Sequence, residues 1–222
     1  MMFAKINEIF KSDQGEGLWQ GRSQVFVRFF GCNLKCQFCD TKQNDYKLMP
    51  IKEVIKTIDG FKDFHSISLT GGEPLLQVDF IQELIQHLKR KGQTIYLETN
   101  RTLYQDLAKV VDYLDMISMD FKFPSSTGQP SFWQEHENFI KIAENNNLFV
   151  KAVIGKNTTI EDLDMAIEII KKNRPDLCLI LQPENPHEHI LADKLITFKK
   201  RCTDQAVSVK IVSQLHKKLG IK

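Results

Sequence analysis

Short apolar runs rich in β-branched and aromatic residues alternate with helical patterns almost from end to end of the chain, and this alternation restricts the fold more than any other feature. The runs predict strands near residues 24–30, 65–70, 94–98, 115–119, 147–154, 178–182 and 206–212. Helices fill the gaps. The clearest follows Pro74, where Leu76, Phe80, Ile81, Leu84, Ile85 and Leu88 form one apolar stripe before Gly92 stops it. A second runs from about Ile160 to Lys172, with Thr158 or Thr159 as its cap, Glu161 and Asp162 at its positive end, Leu163, Ala166, Ile167 and Ile170 facing inward, and Pro175 beyond it. Repeated strand–helix units with short connections imply parallel strands joined by right-handed crossovers, and about six units are too few to close an eight-stranded barrel. The expected fold is α/β, an open, partial TIM-type barrel of about six βα units, with ligands at the carboxyl ends of its strands.

A chain of 222 residues with 42% apolar and 26% charged residues can bury a substantial core. Without an internal repeat or a Pro-, Gly- or Ser-rich linker, residues 1–222 read as one domain. The formal net charge is +2 with Lys and Arg dispersed, so nucleic acid is not an expected partner. No apolar stretch approaches the ~20 residues that span a bilayer, and residues 1–10 lack the layout of a secretory signal; no membrane partner and a cytoplasmic location are expected. In that reducing compartment an odd count of five cysteines, three within eight residues, points to metal or redox chemistry. Cys178 and Cys202 read as ordinary buried thiols.

The triplet Cys32, Cys36 and Cys39 has the spacing C-x3-C-x2-C directly after the apolar strand of residues 25–30. Three thiolates on one loop can hold three corners of an iron–sulfur cubane and leave the fourth iron open for a chelating cosubstrate. A structural zinc site is the alternative, but it needs a fourth ligand from Cys178, Cys202 or a distant His. With Phe38 before the last cysteine, the triplet resembles the signature of the radical S-adenosylmethionine (SAM) superfamily. The resemblance implies a radical SAM core, a [4Fe-4S] cluster and SAM, whose reductive cleavage yields a 5′-deoxyadenosyl radical that abstracts hydrogen from substrate. Thr70-Gly71-Gly72-Glu73-Pro74, at a strand end, is similar to the superfamily's glycine-rich SAM-binding motif; read alone it is a tight strand-to-helix turn.

Further segments resemble the 7-carboxy-7-deazaguanine synthase family over the whole chain: Asp13-Gln14-Gly15-Glu16-Gly17, then Arg22, then Arg28 before the triplet, the Cys39-Asp40-Thr41 ending, and the segment from Gln214 to Lys222. The family's activity is the radical ring contraction of 6-carboxy-5,6,7,8-tetrahydropterin to 7-carboxy-7-deazaguanine with loss of ammonia, a step in 7-deazapurine biosynthesis such as that of queuosine. The resemblance implies Thr41 as a Mg2+ ligand, Asp13, Gln14, Gly15, Glu16, Arg28, Thr70 and the carboxylate of Lys222 as substrate contacts, and SAM contacts at Phe38, Gly72, Glu73, Glu98, Asn100, Ser118, Asp120, Lys122, Gln182, Pro183, Glu184 and Asn185. A pterin edge presents donors and acceptors that suit Gln14, Glu16 and the backbone around Gly15, while the planar fork of Arg28 suits a carboxylate. Read without the family, Arg28 is an outward strand residue paired with a helix carboxylate, and Thr41 a turn or cap residue.

The chain departs from the family pattern at Asp13, commonly apolar; at Arg101, commonly Gly; at Ser118-Met119-Asp120-Phe121-Lys122, in place of a shorter Ser-Pro-Lys; and at Lys222, in place of Pro. Asp120 and Lys122 also resemble glycyl-radical activating enzymes, which act on a partner protein. That reading and the noncatalytic zinc-binding module are the rivals. An electron donor such as flavodoxin or ferredoxin and a homodimer are expected. The His residues at 65, 87, 136, 187, 189 and 216 show no metal-ligand spacing.

Overall fold

The computed structural model describes residues 2–39, 45–185 and 187–220. Nine strands form one sheet: β1 (Phe3–Asp13), β2 (Ser23–Phe29), β3 (Lys47–Pro50), β4 (Ser66–Gly71), β5 (Ile95–Thr99), β6 (Met116–Phe121), β7 (Leu148–Ile154), β8 (Leu179–Pro183) and β9 (Val209–Ile211). Their spatial order is β3-β1-β2-β4-β5-β6-β7-β8-β9, with β3 and β9 at opposite ends, so the sheet stays open. From β2 through β4 to β9 neighbouring strands run parallel; β1 is antiparallel to β2 and to β3. The seven parallel strands give six crossovers, the number of units expected from the alternation. They carry α1 (Ile51–Asp59), α2 (Val78–Arg90), α3 (Tyr104–Leu107), α4 (Pro124–Thr127), α5 (Trp133–Ile142), α6 (Ile160–Asn173) and α7 (Ala192–Asp204); α8 (Leu215–Leu219) follows β9. No helix among the described residues is long and apolar enough to cross a membrane.

The helix after Pro74 starts later than its periodicity suggests. Pro74–Gln77 is a 3-10 turn, Leu76 is exposed, and Leu75 takes the buried place expected of it. The Gln77 side chain instead links β1 to the end of β2, accepting from Lys5 N at 2.7 Å and donating to Lys5 O and Phe30 O at 3.2 Å. In α6 the cap is Thr159, whose hydroxyl accepts from Asp162 N at 3.4 Å. Strands β1 and β3 were not expected. A register shift between Ile6 and Glu8 interrupts the alternation of β1, and β3 is four residues pairing with β1 alone.

The two faces of the sheet differ. Val25, Val27, Ile67, Leu69, Ile95, Leu97, Ile117, Met119, Val150, Ala152, Leu179 and Leu181 belong to the main apolar core. The alternate positions carry Gln24, Ser66, Ser68, Thr70, Ser118, Lys151 and Gln182, all buried, around a small apolar layer of Tyr96, Phe149 and Ile180. Parallel strands buried on both faces ordinarily read as continuous apolar runs. Here period-2 polarity reserves one face for chemistry.

Candidate active site

The cysteine loop leaves β2 and is held by the Gly-Gly-Glu turn that ends β4. Gly72 N donates to Phe29 O at 3.2 Å and Glu73 N to Gly31 O at 2.8 Å. Gly71, at φ +133°, lies so close to β2 that a Cβ would stand 2.1 Å from Phe29 O, so only glycine fits. The Glu73 carboxylate is wholly buried and accepts from Thr99 Oγ1 (2.9 and 3.0 Å), Asn100 N (2.7 Å) and Leu75 N (3.0 Å). Burial pushes its carboxyl up to about 7 despite these bonds. Asn100 continues the chain of contacts, its Nδ2 donating to Asn33 Oδ1 at 2.8 Å and lying 3.6 Å from Cys32 Sγ. Glu73, expected beside SAM, thus spends its acceptors inside the protein and acts on the cysteine loop through Asn100.

Cys32 and Cys39 are exposed and Cys36 is half-buried, all three as free thiols. Burial raises the Cys32 and Cys36 thiols, and Lys122 lowers both. Lys122 Nζ lies 5.3 Å from the centre of the Phe38 ring and bonds Asp120, whose Oδ1 is buried without a partner. At the same end of the sheet the Gln182 Oε1 is also buried and unpartnered, and Glu184 and His187 join Gln37, Phe38, Ser126 and Asn157 around a cavity of about 220 Å³. Ser118 lies deeper, hydrogen-bonded to Tyr96; Pro183 ends β8 buried, and Asn185 is exposed. Cys202 is buried and its thiol pushed up to about 12, as an inert core residue would be, whereas Cys178 is half-buried.

A second polar cluster crosses the floor of this face. Gln14 Nε2 donates to Gln24 Oε1 and Glu98 Oε1, each at 2.8 Å, and Thr70 Oγ1 donates to Glu98 Oε2 at 3.0 Å. Glu16 N donates to Gln14 Oε1 at 3.1 Å, and the Glu16 carboxylate bonds Lys151 on one oxygen and Gln214 Nε2 on the other, at 2.7 Å. Withdrawal from water raises the Glu98 carboxyl, which Lys151 counters and Glu16 reinforces. Burial alone would lower the Lys151 ammonium, but Glu16, Asp120 and Glu98 outweigh it and hold the proton more tightly than usual. Arg28 lies in register with Thr70 and donates from Nε to Glu8 Oε1 at 3.0 Å, with its guanidinium over Phe10. Its partner is therefore a strand carboxylate, not the helix carboxylate of the family-free reading. Asp13 is exposed, next in β1 to Ser12, which pairs with Gln24; alternation turns it to the other face. Gly15 is buried and its carbonyl accepts from Leu215 N at 2.8 Å. Thr41 and Lys222 lie outside the described residues.

Lys151 and Gln24 escaped the sequence reading, and Gln214 entered it only as the start of the C-terminal segment. Lys151 could have been found as the one charge in Leu148–Ile154, a strand buried at every position. Arg101, where the family pattern has Gly, adopts a φ of +66°, the left-handed conformation that favours glycine. Its guanidinium is fully buried, 4.3 Å from the Phe121 ring centre, and donates to His136 Nε2 at 3.1 Å.

The sequence profile of the Radical SAM superfamily matches residues 26–195. The chain is also 33% identical, over 244 aligned positions, to the 7-carboxy-7-deazaguanine synthase of Geobacter sulfurreducens, covering 98% of this chain and 97% of that protein. The chain belongs to the 7-carboxy-7-deazaguanine synthase family. The enzyme of that name from Methanothermobacter thermautotrophicus is 32% identical over 100% of this chain and 99% of its own. The crystal structure of QueE from Escherichia coli shares the fold, with a TM-score of 0.67, 19% identity and coverage of 95% of this chain and 94% of that one. Family membership sets aside the zinc-binding module and the protein-activating enzyme. As a radical SAM enzyme it uses a [4Fe-4S] cluster and SAM and acts on a small molecule. The donor set fits the cluster, since three free thiols stand on one loop at the carboxyl end of β2. Among the described residues no three His, Cys, Asp or Glu side chains converge on one point, as a single ion would need; a cubane holds its three thiolates on separate irons. The orphaned Asp120 Oδ1 and Gln182 Oε1 at the strand ends fit a ligand rich in donors, as SAM is.

Proposed function

We propose that this protein is a carbon–nitrogen lyase that converts 6-carboxy-5,6,7,8-tetrahydropterin to 7-carboxy-7-deazaguanine with release of ammonia, for 7-deazapurine synthesis such as that of queuosine. The observation that carries the reading is the Gln14–Glu16–Glu98–Thr70–Lys151 network, a buried, donor- and acceptor-rich floor on the polar face of the sheet. A flat heterocycle with an amide and an amino edge needs such a floor, because each unmatched polar group in a closed site costs about 1–3 kcal/mol. Gln14, Glu16, Thr70 and the Gly15 backbone take the ring edge, and Arg28, shared with Glu8, takes the carboxylate. Asp13 stands at the rim, on the far face of β1.

Cys32, Cys36 and Cys39 hold the cluster, and Phe38, Gly72, Glu73, Glu98, Asn100, Ser118, Asp120, Lys122, Gln182, Pro183, Glu184 and Asn185 surround SAM, Glu73 from behind through Asn100. With both bound, the cofactors supply the 5′-deoxyadenosyl radical. Thr41 offers a hard hydroxyl ligand to Mg2+, and the carboxylate of Lys222 is a further substrate contact. The protein's share is orientation and exclusion of water around the reacting carbon. A single domain over residues 1–222, a homodimer, a cytoplasmic location and a flavodoxin or ferredoxin as electron donor complete the proposal. Anaerobic reconstitution and incubation with SAM, Mg2+, reductant and the carboxytetrahydropterin test it. The deazapurine and ammonia should form in equal amounts, and Cys→Ala at position 32, 36 or 39 should abolish both product and iron–sulfur absorbance. Intact iron–sulfur absorbance and SAM cleavage with no deazapurine would sink the substrate assignment.

A further inference from the structure

Strand β7 (Leu148–Ile154) is buried at all seven positions, yet its central residue is a lysine. Lys151 Nζ meets Glu16 with side-chain exposures of 10% and 17%, and the carboxylates of Glu98 and Asp120 also bear on it. Such a pair adds little to stability, because the cost of desolvating both ions offsets their attraction and an apolar side chain would pack as well. A second contact fixes the same loop on the same strand. Gly17, at φ +67°, lies against the tip of the Phe149 ring, whose Cζ stands 2.4 Å from where a Cβ would be. The loop that carries Glu16 is therefore pinned to β7 twice, sterically under Gly17 and electrostatically at Glu16. With Lys151 on one carboxylate oxygen and Gln214 on the other, the plane of the Glu16 carboxylate is fixed from both sides.

We propose that Lys151 is a positioning residue of the pterin pocket, which acts through Glu16 by holding its carboxylate aimed at the amide and amino N–H groups of the substrate edge. The proposal rests on the pterin reading above. A pre-oriented acceptor loses less entropy when the ligand arrives than a freely rotating one does.

The test is the affinity of the reconstituted enzyme for 6-carboxypterin, an oxidised and unreactive analogue, read by quenching of pterin fluorescence beside SAM affinity and iron content. Lys151→Met should weaken analogue binding by about tenfold or more while SAM affinity and iron content stay at wild-type values. Lys151→Arg should recover most of the loss. The double variant Lys151→Met/Glu16→Gln should bind no more weakly than Glu16→Gln alone, because a residue acting through Glu16 has nothing left to position. Wild-type affinity in Lys151→Met, additive losses in the double variant, or an equal loss of SAM affinity would each overturn the role of Lys151. Failure of the wild-type enzyme to bind the analogue would remove the pterin reading itself, and the proposal with it.

Discussion

Glu73 illustrates how one residue of a motif can serve a site without facing it. Its carboxylate ties Leu75, Thr99 and Asn100 together, and Asn100 reaches Cys32. Because burial raises its carboxyl from an ordinary 4.5 to about 7, the native state binds this proton more tightly than the unfolded chain does. The resulting stabilisation is complete below about pH 4.5 and is lost as the pH rises to about 7, by at most about 3 kcal/mol. Urea unfolding of cluster-free wild type and Glu73→Gln at several pH values checks this: the difference between their slopes should be confined to that window. The motif Thr70-Gly71-Gly72-Glu73-Pro74 was legible as a string, but the inward aim of its carboxylate was not, since a string does not say which strand ends lie next to it.

At the level of elements, the parallel strands and their helices follow directly from hydrophobic periodicity, and the largest gaps in that reading are β1 and β3. The junction of β2 with β4 determines where the cysteine loop begins. Gly71→Ala would set a methyl group against the Phe29 carbonyl and also strain a backbone at φ +133°, so the strands must separate there. A loss of about 3 kcal/mol or more is expected, visible as a lower urea midpoint, together with poorer iron incorporation because the cysteine loop shifts with β2. The alternate polar positions of β4 to β8 were present in the sequence as well. Their meaning emerges only when register aligns them, Glu98 with Ser118 and Asp120 with Lys151, into one continuous face.

On the scale of the whole molecule, the site joins segments nearly two hundred residues apart. Gln214 Nε2 reaches Glu16 Oε1, Leu215 N reaches Gly15 O, and Gln20 Nε2 bridges Gly15 O at 2.9 Å to Ser213 O at 2.6 Å. None of the described side chains of α8 is buried, so a chain ending after Ser213 should keep its melting temperature within a few degrees while 6-carboxypterin affinity falls about three- to tenfold. Calorimetry beside fluorescence quenching separates the two effects. A melting temperature lowered in step with affinity would show that this segment supports the fold and not the pocket.

The sequence by itself determined the open α/β sheet, because periodicity is a property of neighbours along the chain; its motifs carried the resemblance to the family and put forward Cys32, Cys36 and Cys39 as cluster ligands. It also named Gln14, Glu16 and Arg28 as pocket residues, though not their partners. Only the tertiary structure decided that Glu73 is buried, that Arg28 pairs with Glu8, and that Lys151 stands under Glu16. Those facts depend on which strands lie side by side and how far water is excluded between them, and both are fixed when the whole sheet assembles.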